Sequence, residues 1–213
     1  MIYYFYGKSL KGTIAVLFEL FTMKYATNEA FQKLASFDLG LPEEQLEKFF
    51  GICSFKTYEP NEYIFRSGRK DRKAILILQG SVRSFALIDG VEHNCHLRSV
   101  GYLMGDPRSF NETIDPILDT VAINEVEALL LDVGDLERLA KEDSLLMDYY
   151  LGVMQDVISV LAHRVFTFVS MDAKGRYNDL MQWSPDYLKN TYDKFLASFL
   201  GMRPVTYHRV KNK

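Results

Sequence analysis

DKFLASFLGMRPVTYHRVKN, residues 193–212, decides how the chain is read. Two helices that cross at a tight turn need apolar side chains where they touch. They also need a small residue at the closest approach and a turn residue that tolerates left-handed φ. Leu196, Leu200, Met202, Tyr207 and Val210 supply the contacts, Ala197 the small side chain and Gly201 the turn. Pro204 falls in the first turn of the second helix, where its missing N–H costs nothing. The spacing predicts a helix-turn-helix whose outward face carries Arg203, Pro204, Val205, His208, Arg209 and Asn212. The bland alternative is an ordinary αα-hairpin, since Ala-x-x-x-Gly alone is common.

Charge argues against the bland alternative. The whole chain is −3, but from residue 187 onward Lys189, Lys194, Arg203, Arg209, Lys211 and Lys213 face the single acid Asp193. The tail is therefore +5 on a body of −8. A basic module on an acidic body suits a protein that meets phosphate at one end only.

Upstream, residues 144–171 read as one long helix. Leu146, Tyr149, Tyr150, Val153, Met154, Val157, Ile158, Leu161, Val165, Phe168 and Val169 form a stripe too wide for one packing partner. The surplus predicts a second copy, hence a homodimer. Residues 172–175 are the expected hinge, and residues 135–140 a short surface helix. From 55 to 132 the texture is that of short strands: 63–65, 74–78, 82–88, 93–97, 120–123 and 128–131, separated by glycine turns. Asp89-Gly90 between two such runs predicts a type I′ hairpin, which needs positive φ at both central residues. Strands at this spacing imply a barrel or roll. Residues 28–50 read as helical, with Pro42 opening a second helix ahead of Glu43 and Glu44.

The composition, 48% hydrophobic and 25% charged, is that of a globular protein. Cys53 and Cys95 are too few for a disulfide framework or a four-thiolate iron–sulfur site, and a reduced cytoplasm is the expected compartment. Residues 2–21 are apolar, but Lys8, Lys11 and Glu19 interrupt them, and the clean run 13–18 is too short to span a bilayer. That segment is read as packing on the body, with Met23 an alternative start to Met1. No Gly-rich phosphate loop, nucleophile elbow or spaced metal set appears, so no enzyme and no cofactor is expected. Glu92-His93-Asn94-Cys95-His96 invites a metal, but strand alternation would leave only His93 and Cys95 together, without a third ligand.

Several strings resemble the cyclic-AMP receptor protein / fumarate-nitrate regulator (Crp/Fnr) superfamily over residues 55–213. They are Tyr58-Glu59-Pro60-Asn61-Glu62 leading to Phe65-Arg66-Ser67-Gly68, then Ile75-Leu76-Ile77-Leu78-Gln79-Gly80-Ser81-Val82-Arg83. Gly101-Tyr102-Leu103-Met104-Gly105-Asp106, Met171-Asp172-Ala173-Lys174-Gly175-Arg176 and the helix-turn-helix complete the set. Ala197-Ser198-Phe199-Leu200-Gly201-Met202 looks like the compact branch common in Bacteroidetes. The resemblance implies an α+β architecture. Residues 1–54 are read as an N-terminal helical segment, and the resemblance implies that 55–143 form a double-stranded β-roll sensor of the cyclic-nucleotide-binding type. Residues 144–171 form a dimerisation helix and 172–213 a DNA-binding helix-turn-helix domain. It further implies promoter binding as a homodimer, with RNA polymerase a possible partner and no membrane association.

Relatives that bind cyclic nucleotides carry a Gly-Glu pair for the ribose and a nearby Arg for the phosphate. Gly105-Asp106 matches the first; the Arg position falls on Ile117 or Leu118, and Arg108 sits at the wrong offset. A buried phosphate without such a cation is unfavourable, so cyclic AMP is not expected. The expected effector wall is Leu97, Leu103, Gly105, Asp106, Leu118, Thr120 and Val121, apolar enough for a small hydrophobic ligand or none. In the second helix Pro204-Val205 stands where relatives place Arg-Glu, while Thr206 and Arg209 are kept. Arg209 is the candidate for a bidentate guanine contact, and Arg203, Thr206, Lys211 and Lys213 for phosphates. Val205 or His208 would meet a thymine methyl or a base edge. The competing function is a sensor or protein-interaction module whose DNA-binding end has degenerated.

Overall fold

The run KAILILQ, residues 73–79, is apolar without alternation because the strand it forms is covered on both faces. In the computed structural model, which describes residues 27–69, 71–110 and 115–212, two antiparallel sheets fold against each other. One orders β1 (Ser54–Tyr58), β8 (Val126–Asp132), β3 (Lys73–Gln79) and β6 (Leu103–Met104). The other orders β2 (Tyr63–Phe65), β7 (Asp119–Ala122), β4 (Ser81–Ile88) and β5 (Val91–Ser99). Residues 2–21, Met23 and Lys213 lie outside the described residues.

Ile75, Ile77, Val82, Met104, Ala122, Val126 and Ala128 fill the space between the sheets. The alternate positions Ala74, Leu76, Leu78, Leu129 and Leu131 face a helical layer. That layer comprises α1 (Glu29–Ala35), α2 (Glu43–Gly51), α3 (Val133–Glu142) and the start of α4 (Ser144–Ser170). Phe31, Phe49, Leu136 and Leu146, each at most 1% exposed, seal it. Burying such side chains contributes roughly 1.5–3 kcal/mol each.

Asp143 joins this layer to the long helix. Its carboxylate caps α4 by accepting from the Leu145 and Leu146 N–H groups, and it also accepts from Lys48 Nζ at 2.9 Å and Gln45 Nε2 at 3.1 Å. The β4–β5 hairpin turns through Asp89 at φ 50° and Gly90 at φ 76°, the two positive angles a type I′ turn demands.

The break after α4 is shorter than the expected hinge. Met171 is extended, Asp172 caps the next helix by accepting from Gly175 N at 2.8 Å, and residues 173–175 are already helical. Then follow α5 (Ala173–Trp183), α6 (Pro185–Asn190), α7 (Asp193–Phe199) and α8 (Pro204–Lys211). Their core of Tyr177, Leu180, Tyr187, Leu196, Ala197, Leu200, Met202 and Tyr207 also takes in Leu97 and Ile123 from the roll. The helical end is thus packed on the β4–β5 sheet rather than held out on a linker.

Candidate nucleic-acid interface

The turn between α7 and α8 forms as its residue types require. Gly201 adopts φ +65°, and the Met202 N–H donates to the Ala197 carbonyl at 2.8 Å. Ala197, Leu196 and Tyr207 are fully buried at the crossing, and the Tyr207 ring meets Tyr177 edge-on with centroids 5.7 Å apart. A Cβ on Gly201 would come within 2.5 Å of the Phe168 ring at the end of α4. Glycine is therefore required twice, for its φ and for this close approach.

α8 lies outward. Arg203, Pro204, Val205, His208, Arg209 and Lys211 are exposed, Val205 at 81%, while Thr206 and Val210 are half-buried. Arg203 and Arg209 have no ion-pair partner among the described residues. Lys211 is not free in this way: its Nζ donates to both Asp193 carboxylate oxygens, at 2.8 and 3.0 Å, and His208 Nδ1 stands 3.7 Å from the same group. The outward cations of α8 without an internal partner are thus Arg203 and Arg209.

The contacts that hold α7 against β5 were not readable from sequence, because their partners lie about a hundred residues apart. Ser198 Oγ accepts from Asn94 N at 3.0 Å and donates to Glu92 O at 3.2 Å. Arg164 Nη2, on α4, donates to Asn94 O at 3.1 Å and Phe199 O at 2.8 Å, tying three elements at once. Arg176 Nε donates to Leu200 O at 2.9 Å, next to the turn glycine. Arg83, 5% exposed, stacks over the Phe195 ring at 4.0 Å and pairs with Glu92 at 2.7 Å. Of the side chains that make these contacts, all but Arg164 belonged to strings that stood out in the sequence, but those strings did not name their partners.

Among the described residues, the seven expected effector-wall residues are divided between different surroundings. Leu97 faces the helical core, and Thr120 shares a 2.6 Å hydroxyl hydrogen bond with Ser84. Val121 and Leu118 are buried. Leu103 and Gly105 line a void of about 20 Å³ with His96 and Val153, space for roughly one water. Asp106, 4% exposed, accepts from the N–H groups of Arg108, Ile117 and Leu118 at 2.8, 2.8 and 2.9 Å. Its carboxylate organises the loop.

The strand segment weighed for a metal is irregular. Ser84 pairs with His96 but Phe85 with Asn94, so Cys95 is an inserted bulge residue and the alternation is reset there. Among the described residues no group of three metal-ligating side chains gathers. Burial, with Arg98 and Arg164 nearby, draws the His96 imidazole down to about 4.

Two sheets, a long helix and a terminal helix-turn-helix in this order give the architecture. The chain has the Crp/Fnr regulator fold. FixK2 from Bradyrhizobium japonicum is similar at a TM-score of 0.64 and 16% identity, over 76% of this chain and 83% of that one. A CooA variant from Carboxydothermus hydrogenoformans gives 0.63 and 15%, over 77% of each chain. The global regulator CLP of Xanthomonas campestris, described as responsive to c-di-GMP, gives 0.63 and 17%, over 80% of this chain and 90% of that one. No family model and no curated protein matches the sequence. The Crp/Fnr fold accounts for the order roll, long helix, helix-turn-helix, and at these identities it speaks for the fold alone.

Proposed function

We propose that the chain is a cytoplasmic transcription regulator that binds promoter DNA as a homodimer and does not respond to cyclic AMP. The observation that carries this reading is α8: a solvent-facing helix beginning at Pro204, anchored by the buried Leu200, Met202 and Tyr207, with two outward arginines, Arg203 and Arg209, that have no ion-pair partner among the described residues. In a major groove Arg209 is assigned to a guanine edge, and Arg203, Thr206, Lys211 and Lys213 to phosphates. Val205 and His208 are assigned to a thymine methyl or base edge.

The dimer assignment rests on α4. Leu151, Ile158, Val165 and Val169 are 49%, 66%, 65% and 84% exposed and fall on one face of the helix. By length and composition α4 could also cross a bilayer, with a mean hydropathy of 1.3 over its most apolar window. Its Arg164, however, is bonded to β5 and α7, so a second copy is the occupant this reading assigns.

Against cyclic AMP stand the void of about 20 Å³ beside Gly105, the commitment of Asp106 to three backbone N–H groups, and the absence of a cation at positions 117 and 118. The competing reading, an interaction module with a lapsed DNA-binding end, draws on the Asp193–Lys211 pair. Selection of genomic fragments by the purified chain separates the two. The regulator reading expects an enriched near-palindrome with half-sites about one helical turn apart. Recovery of fragments without a shared sequence would overturn it.

A further inference from the structure

A cavity of about 420 Å³ opens between β5, the C-terminal half of α4 and the helices α5 to α7. It lies outside the roll, and its volume is in the range that holds small organic ligands. Phe168, Trp183 and Tyr187 provide aromatic walls, and Arg98, Arg164 and Arg176 the charge.

The arginines are unusual in their partners. Among the described residues, Arg164 donates only to the carbonyls of Asn94 and Phe199, and Arg176 only to those of Leu200, at 2.9 Å, and Met171, at 2.8 Å. Neither has a carboxylate within ion-pair distance among the described residues. A guanidinium has five N–H groups, so several on each remain beyond those carbonyls. Both cations stand against one ring, Arg164 at 4.9 Å and Arg176 at 5.0 Å from the Phe168 centroid. The wall's acids pair with other wall residues: Asp179 with His163 at 2.9 Å, and Asp156 with Arg98 at 3.5 Å. Burial draws the Arg164 guanidinium down to about 10, so it stays charged at neutral pH. Half-buried cations balanced only by carbonyl dipoles leave a positive potential in a poorly solvated space, the setting in which a bidentate anion gains most.

We propose that this cavity binds a small organic anion, with its charged end on Arg164 and Arg176 and its aromatic or apolar body against Phe168, Trp183 and Tyr187. A second copy on α4 leaves the site open. At about 100° per residue, Asp156, Val160, His163 and Thr167 on the cavity side lie opposite Leu151, Ile158 and Val165. The ligand would touch the roll, the long helix and the DNA-binding helices together, so its occupancy would set how firmly α7 is held on β5. That regulatory consequence rests on the DNA-binding reading; the site itself does not, and a titration without DNA tests it separately.

The test uses the full chain and two fluorescent probes of like shape, anionic 8-anilinonaphthalene-1-sulfonate and neutral N-phenyl-1-naphthylamine. Saturable binding of one sulfonate per chain is expected, at least about tenfold tighter than the neutral probe. Arg164→Gln and Arg176→Gln each weaken the sulfonate by about tenfold and leave the neutral probe unchanged. Ser159→Trp, at an exposed position on the cavity wall, blocks both probes with the circular dichroism and Tm unaltered; it decides the matter if an arginine variant fails to fold. Equal affinity for the two probes, non-saturable binding, or full sulfonate binding by folded Ser159→Trp would overturn the proposal.

Discussion

Gly201→Ala probes the turn on which the DNA-binding reading depends. Two penalties are separable. The φ of +65° is left-handed, which costs an L-residue with a Cβ about 1–2 kcal/mol. The new methyl carbon would also stand 2.5 Å from Phe168 Cε1 and 3.1 Å from Cζ, so the ring must move. Overpacking of this kind costs about 1–3 kcal/mol, and the lower end applies because Phe168 is 41% exposed and can swing outward. The expected loss is about 2–3 kcal/mol of stability in urea denaturation. Phe168→Ala removes the second penalty and leaves the first. In a double-mutant cycle, Gly201→Ala in the Phe168→Ala background should therefore cost about 1 kcal/mol less than in the parent. A cost below about 0.5 kcal/mol for Gly201→Ala alone, or strictly additive single effects, would refute this account of the turn.

Other perturbations give equally direct readouts. His96 has an ordinary pKa of 6.5 in the unfolded chain and about 4 when folded, so the unfolded state takes up the proton first as pH falls. Stability should decline between pH 6.5 and 4 by up to about 3 kcal/mol and level off below, and His96→Asn should flatten that segment of the denaturation profile. Ile158→Glu places one charge from each copy in the proposed dimer seam, and sedimentation should show association weakened by about a hundredfold or more, toward monomer. Because Ile158 is 66% exposed, the Tm of the isolated chain at low concentration should hardly move. Ser198→Ala removes the hydroxyl that joins Asn94 N to Glu92 O, so amide exchange at β5 and α7 should accelerate without change in the roll interior, a loss of about 1–2 kcal/mol in local protection.

The parts of the fold legible in the sequence are those whose rules are local. Ala197, Gly201 and Pro204 state the helix-turn-helix within eight positions, and Asp89-Gly90 states its hairpin in two. Residues 74–78 read as a strand because both faces are buried. By contrast, β1 is exposed along nearly its whole length and carries no alternation of burial, and β6 has only two residues. The inserted Cys95 defeats the period-two argument for the faces of His93 and His96. Least legible is the joint between the roll and the helical end. Leu97 was read as part of an effector wall in the roll; its side chain joins the core of the C-terminal helices and borders the cavity beside them, because strand β5 serves both. Arg164 carried no signal in the sequence, because its partners Asn94 and Phe199 are far from it along the chain.

The central claim is that α8 meets a duplex through its unpaired arginines, and the salt dependence of binding to a selected duplex tests it most directly. For a dimer that places Arg203 and its phosphate-contacting neighbours on DNA twice over, log K should fall with log salt at a slope of about −4 to −6. Arg203→Ala should shrink that slope by about 2, and Arg209→Ala should cost about 1–3 kcal/mol per half-site at one guanine position. A slope near zero in the parent chain, unchanged by either substitution, would contradict the account.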